Sequence, residues 1–269
     1  MDSLIEEVGP FGKFQKIVLL VTGALTAVVA MVFYVIIFNT AEPHLSCYLK
    51  NNSTISSNTE VVTKDLKCNM WNNYSLSMQQ STQSPYECSF DRQHYESTII
   101  NDWGLVCDKQ HLASITITIF LIGNISAFLS GIIADKYGRK MASIIFIVLF
   151  CIFSVIFCLL MNNFAIFYLS VSTRYIIYNV YQLISGILTC CFQMSVYVHG
   201  IEFTCDDYHI LFGNMYSYFY IAGEALVMIS YYLYRDWIVS NWFITIFTIV
   251  FLVPYCLFIP ESPRFVLFF

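Results

Sequence analysis

Two groups of residues in this 269-residue chain have the types and spacing to do chemistry. The first lies between Gly131 and Lys140, where one acid, Asp135, and three cations, Lys136, Arg139 and Lys140, share ten residues with Gly138. Its chemistry is ion pairing. An acid at the C-terminal end of a helix opposes the helix dipole and needs a cation, and Arg139 stands four residues on. The second group is Tyr216, Tyr220 and Glu224, spaced i, i+4 and i+8 on one helix face. Aromatic rings beside a carboxylate in apolar surroundings suit an organic cation, through charge pairing and cation–π contact. Asn124 and Gln193 could face the same cavity, or hydrogen-bond helix to helix. No nucleophile elbow, phosphate-binding glycine loop or metal-spaced His/Cys set occurs, and the five His are isolated. No enzyme chemistry, metal or cofactor is expected.

The elements that must position these groups are membrane helices. Hydrophobic residues make up 58% of the chain and charged residues 12%, with a mean hydropathy of +0.65. The apolar residues come in runs rather than at amphipathic spacing. The 13 Lys and Arg form no basic patch, so nucleic acid is not a partner. About 20 apolar residues cross a bilayer. Residues 17–38, 112–134, 141–161, 211–234 and 242–259 meet that need. A further apolar stretch from Phe164 to Ile201 is interrupted by Arg174. A charge at the bilayer centre costs at least about 2.5 kcal/mol, so the spanning part is read as 182–201, with 162–181 an extracellular or re-entrant connection. Six spans result.

Lys13 and Lys16 precede the first span, Lys136, Arg139 and Lys140 follow the second, and Arg264 follows the last. By the positive-inside rule both termini and the turn 135–140 are cytoplasmic; 202–210, whose Cys205 to His209 carry no Lys or Arg, follows on that side from the order of the spans. Residues 1–16 form the cytoplasmic start and 260–269 the cytoplasmic end. Glu6 and Glu7 ahead of a 22-residue apolar run argue against a cleaved signal. The polar segment 39–111 is then extracellular. Its four cysteines, Cys47, Cys68, Cys88 and Cys107, allow three disulfide connectivities. Asn51, Asn52 and Asn73 head glycosylation sequons.

Several motifs, in order along the whole chain, now carry a resemblance. Gly131 to Lys140 resembles the G-x-x-x-D-R/K-x-G-R-R/K loop between helices 2 and 3 of major facilitator superfamily transporters. Val8 to Gln15 is similar to G-x-F-G-x-F-Q, Pro43-His44 with Cys47 to P-x-H-x-x-C, and Asn101 to Cys107 to E-W-D/N-L-V-C. Arg235-Asp236-Trp237 matches R-D-W, and Pro260 to Phe265 is close to P-E-S-P-R-W. Together they resemble the organic cation, anion and carnitine transporter family. That family has R-x-x-x-G at the start of helix 4, then Y-V and a glutamate. Here Gln182, Gly186, Tyr197, Val198 and Glu202 fall at that spacing, so Gln182 replaces the arginine and about eight residues between Ser172 and Val180 are surplus.

The resemblance implies an all-α membrane protein, namely the six-helix N-terminal bundle of a major facilitator transporter, with a large extracellular loop between helices 1 and 2. It implies transport of small organic ions by rocking two such bundles about a central site. Its partners are a small organic ion, the lipid bilayer and a second six-helix bundle, and its place is the plasma membrane. A cytoplasmic gating network would comprise Gly131, Asp135, Lys136, Gly138, Arg139, Lys140, Glu202, Glu261 and Arg264. For Glu261 and Arg264, capping around Ser262 and Pro263 is an equal reading. The functional alternative is a membrane glycoprotein that does not transport and instead pairs with or regulates another bundle.

Overall fold

A computed structural model of the protein describes residues 12–42, 44–49, 64–79, 86–90, 97–163 and 169–262. Its described part is mostly helical. By internal contacts the chain divides into two units, Phe38–Ser114 and the remainder.

The larger unit is built from long helices. α1 spans Lys13–Asn39. In the smaller unit, α2 spans Lys64–Gln79 and α3 Ile99–Trp103. α4, His111–Gly123, continues through a 3-10 turn at Asn124–Ser126 into α5, Ala127–Tyr137. There follow α6, Arg139–Asn162, α7, Val171–Ile201, α8, His209–Tyr234, and α9, Trp237–Phe258. Among the described residues five helices are long and apolar enough to cross a membrane: α1, the rod Cys107–Tyr137, α6, α7 and α9. At 26 residues α8 also has the length. Six tyrosines and Glu224 hold down its hydropathy.

The start of α7 departs from the sequence expectation. The helix begins at Val171, eleven residues before Gln182, and the segment expected as a connection up to 181 is helical from there on. Ser170 caps it, its hydroxyl accepting from the Thr173 N–H at 3.2 Å. No glycine or proline interrupts the chain until Gly186. Arg174 therefore sits in the first turn rather than at the middle of a span. A helix of 31 residues is about 46 Å long, some 16 Å more than a bilayer core of about 30 Å, so its first turns need not enter hydrocarbon. The surplus residues add helical turns.

Local chemistry explains other boundaries. Arg235 takes the left-handed conformation, at φ 54°, that ends α8. Asp236 then caps α9, accepting from the Ile238 N–H at 2.7 Å, and Trp237 is buried at the first helical position. The R-D-W triplet is thus a helix-to-helix turn. α1 is the most enclosed of the five apolar helices, with most of its apolar stretch buried. Its two buried threonines, Thr22 and Thr26, bond back to the carbonyls of Val18 and Thr22 at 2.7 and 3.0 Å, which leaves no hydroxyl unpaired. Glycines set the closest approaches. A methyl group on Gly123 would meet the Leu183 carbonyl at 2.7 Å, and one on Gly186 would strike the carbonyl of Phe120, so α4 and α7 touch backbone to backbone.

The smaller unit adds strands to the expected all-helical fold. β1, Leu45–Leu49, and β2, Tyr86–Phe90, pair antiparallel with Cys47 opposite Cys88. Disulfides join Cys47 to Cys88 and Cys68 to Cys107, an interleaved pairing that selects one of the three connectivities. Trp71 packs against Phe90, ring centroids 5.1 Å apart, which seats α2 on the two-stranded sheet. Asn73 is exposed on α2. Asn51 and Asn52 lie outside the described residues.

Candidate functional site

The charged turn and the ends of α7 and α9 form one cluster. Gly138 closes α5 and opens α6 at φ 97°, a conformation that disfavours any side chain. Space demands glycine too, since a Cβ there would lie 3.0 Å from Glu261 Oε2. That carboxylate accepts the Lys140 backbone N–H at 2.8 Å and the Ser262 N–H at 3.2 Å. Glu261 is thus an anionic cap on the first turn of α6, where the helix dipole favours it. Lys140 reaches back, its Nζ donating to the Cys256 carbonyl in the last turn of α9 at 3.0 Å.

Arg139 carries the ion pairs. Its Nη1 lies 2.9 Å from Asp135 Oδ1 and its Nε 3.4 Å from Glu202 Oε1. The two acids differ in setting: the Asp135 side chain is 69% exposed, that of Glu202 only 8%. Glu202 also accepts a hydrogen bond from the Ser262 hydroxyl. The structure therefore brings together Asp135, Gly138, Arg139, Lys140, Glu202 and Glu261. Lys136 and Gly131 stand apart. Lys136 Nζ lies 5.2 Å above the ring of Tyr137, and a methyl group on Gly131 would meet nothing within 4 Å. Arg264 lies outside the described residues.

Sequence reasoning passed over His199, which this cluster encloses. It is fully buried, with Nδ1 2.7 Å from the Tyr255 hydroxyl and Nε2 3.1 Å from the Pro260 carbonyl. A carbonyl only accepts, so Nε2 carries the hydrogen and Nδ1 accepts from Tyr255. The ring fastens α7 to the end of α9. Its spacing of three residues from Glu202, on the same helical face, was the available signal.

The expected stripe on α8 divides. Tyr216 is 7% exposed and packs with Leu19 and Phe212 in an apolar cluster, its ring 5.0 Å from that of Tyr197. Glu224 is half-buried, with Tyr220 and Tyr34 of α1 beside it. The two tyrosine rings meet edge to face at 6.5 Å. Tyr34 lies 190 positions before Glu224, and nothing local in the sequence pointed to it. Asn124 is not part of this group: its amide donates to the Phe120 carbonyl at 3.1 Å, beside the tight α4–α7 crossing. Gln193 is half-buried on α7 and makes no hydrogen bond among the described residues.

A bundle of long apolar helices with an ion-paired glycine turn at one end and a carboxylate among tyrosines within it is the architecture of a membrane carrier. A family model described as "Sugar (and other) transporter" matches residues 52–268, well over half of the chain. The protein is similar to an organic cation transporter-like protein of Drosophila melanogaster, 25% identical over 285 residues, which cover 99% of this chain and 47% of the fly protein. It is also similar to organic cation/carnitine transporter 2 of Homo sapiens, 27% identical over 177 residues, 65% of this chain and 29% of that one. A beta-alanine transporter of Drosophila melanogaster is 22% identical over 310 residues, 98% of this chain and 48% of the relative. The chain belongs to the sugar and other transporter family of the major facilitator superfamily, and relatives named as organic cation and organic cation/carnitine transporters are similar to it. It spans about half the length of the curated fly relatives it matches.

Proposed function

We propose that this chain is the N-terminal six-helix half of a carrier that moves small organic ions across the plasma membrane by alternating access, organic cations in preference to anions or carnitine. The observation that carries the reading is Glu224 flanked by Tyr34 and Tyr220. A carboxylate in a membrane bundle is costly unless something offsets it. Among the described residues no Lys or Arg pairs with Glu224. A bound cation would supply the charge, and the tyrosine faces would supply cation–π contact. The relatives' names agree in chemistry, since organic cations, carnitine and beta-alanine share a positively charged nitrogen.

In this reading α8 is the fifth span and both termini are cytoplasmic. The Phe38–Ser114 unit faces outside and carries glycan at Asn73. The cluster around Arg139 holds one access state and opens in the other, working against a second six-helix bundle. The chain is a carrier, with no chemical reaction assigned to it. The test is uptake of a labelled quaternary ammonium ion by cells expressing the full-length protein. Saturable uptake that Glu224→Gln lowers about thirtyfold is the expected result. Uptake of an organic anion that is indifferent to Glu224→Gln would reject the cation reading.

A further inference from the structure

Away from the charged end, four helices meet in a buried polar layer. Ser154 of α6 stands between Thr245 of α9, 2.5 Å away, and the hydroxyl of Tyr181 of α7, at 3.4 Å. Tyr181 itself stacks flat on Phe157, ring centroids 3.8 Å apart, which fixes the height of its hydroxyl. Beside this layer is a cavity of about 10 Å³ lined by Ser154, Tyr181, Gln182, Ser185 and Asn241, with Val32 and Val35 of α1 closing it.

Gln182 poses the physical problem. The residue is only 3% exposed, yet its amide makes no hydrogen bond with any described residue. Asn241, 4% exposed, gives its amide hydrogen to the Trp237 carbonyl at 2.7 Å, which leaves its own carbonyl oxygen to accept another bond. An amide left without a hydrogen bond in a membrane bundle is costly. A cavity of this volume admits about one water, and its polar lining offers the two to four partners such a water needs.

We propose that the cavity is a binding site for a single water molecule, held chiefly by Gln182 and Asn241, that links α7 to α9. The lining side chains carry no formal charge, which suits a neutral ligand better than a bare ion. The site rests on packing and hydrogen bonding alone and is independent of what the carrier transports.

The deciding measurement is a density map of the unaltered full-length protein in lipid nanodiscs, at a resolution that shows ordered water. One feature within about 2.7–3.2 Å of both the Gln182 amide and the Asn241 oxygen is expected, unchanged when sodium and potassium are replaced by a bulky cation. No feature there, or one that vanishes with the alkali cation, overturns the proposal. A double-mutant cycle gives a second reading. If Gln182 and Asn241 share the water, Gln182→Leu and Asn241→Leu are non-additive, and the double variant melts no lower than the worse single variant. Strictly additive shifts in Tm would refute the link.

Discussion

The charged end of the bundle and the tyrosine–glutamate group on α8 treat ionised side chains in opposite ways. Around Arg139 the acids are answered within the chain. Asp135 and Glu202 share its guanidinium, Glu202 also takes the Ser262 hydroxyl, and Glu261 takes two backbone N–H groups. Glu224 has tyrosines for neighbours and, among the described residues, no basic partner. An acid with a built-in partner positions helices. One without is open to a cation from outside.

Breaking the first region should produce the largest effect. Arg139→Gln leaves Glu202 buried without its cation and should cost about 3 kcal/mol, seen as a fall in Tm of the full-length protein in detergent. If Tm does not move, the ion pairs contribute nothing measurable and the contrast between the regions fails. Glu224→Gln should do the converse. It removes charge without leaving an unpaired partner, so Tm should hold while kcat/KM for a quaternary ammonium ion drops about thirtyfold, or about 2 kcal/mol. Gly138→Ala tests whether backbone shape matters as much as charge. With φ at 97° and the Glu261 carboxylate against the new methyl group, a loss of about 1–2 kcal/mol in thermal stability is expected. Tyr34→Phe sharpens the second region most finely. It keeps the ring and removes the hydroxyl, so a fall of about fivefold in cation kcat/KM with unchanged Tm is expected. An equal effect from Tyr216→Phe would contradict the division of the stripe.

Much of the charged end was legible because its parts are local. Asp135 and Arg139 lie one helical turn apart, and the Gly138 turn is a property of neighbouring residues. Glu261 read equally as network or cap, and its carboxylate does cap a helix, though α6 rather than the segment that follows it. His199 was missed because its spacing from Glu202 marks a shared helical face and says nothing of Tyr255 and Pro260, which meet the ring only in the fold. The α8 stripe was read from periodicity, which says which residues share a face but not what covers that face. Packing put Leu19 and Phe212 around Tyr216, and Tyr34 beside Glu224. The start of α7 was misplaced because Arg174 was weighed as a charge in mid-membrane. Helix capping at Ser170 outranks that argument once the helix is longer than the bilayer is thick.

By itself the sequence determined that this chain forms membrane helices, where its charged turn lies and which family it joins. Apolar runs, caps and glycine turns act over a few residues, and the free energies involved are set locally. Only the tertiary structure decided how the four cysteines pair, which tyrosines surround Glu224, and where Gln182 is buried. Those outcomes depend on groups distant in the chain, 41 positions apart for Cys47 and Cys88. Their energies exist only once the helices have packed.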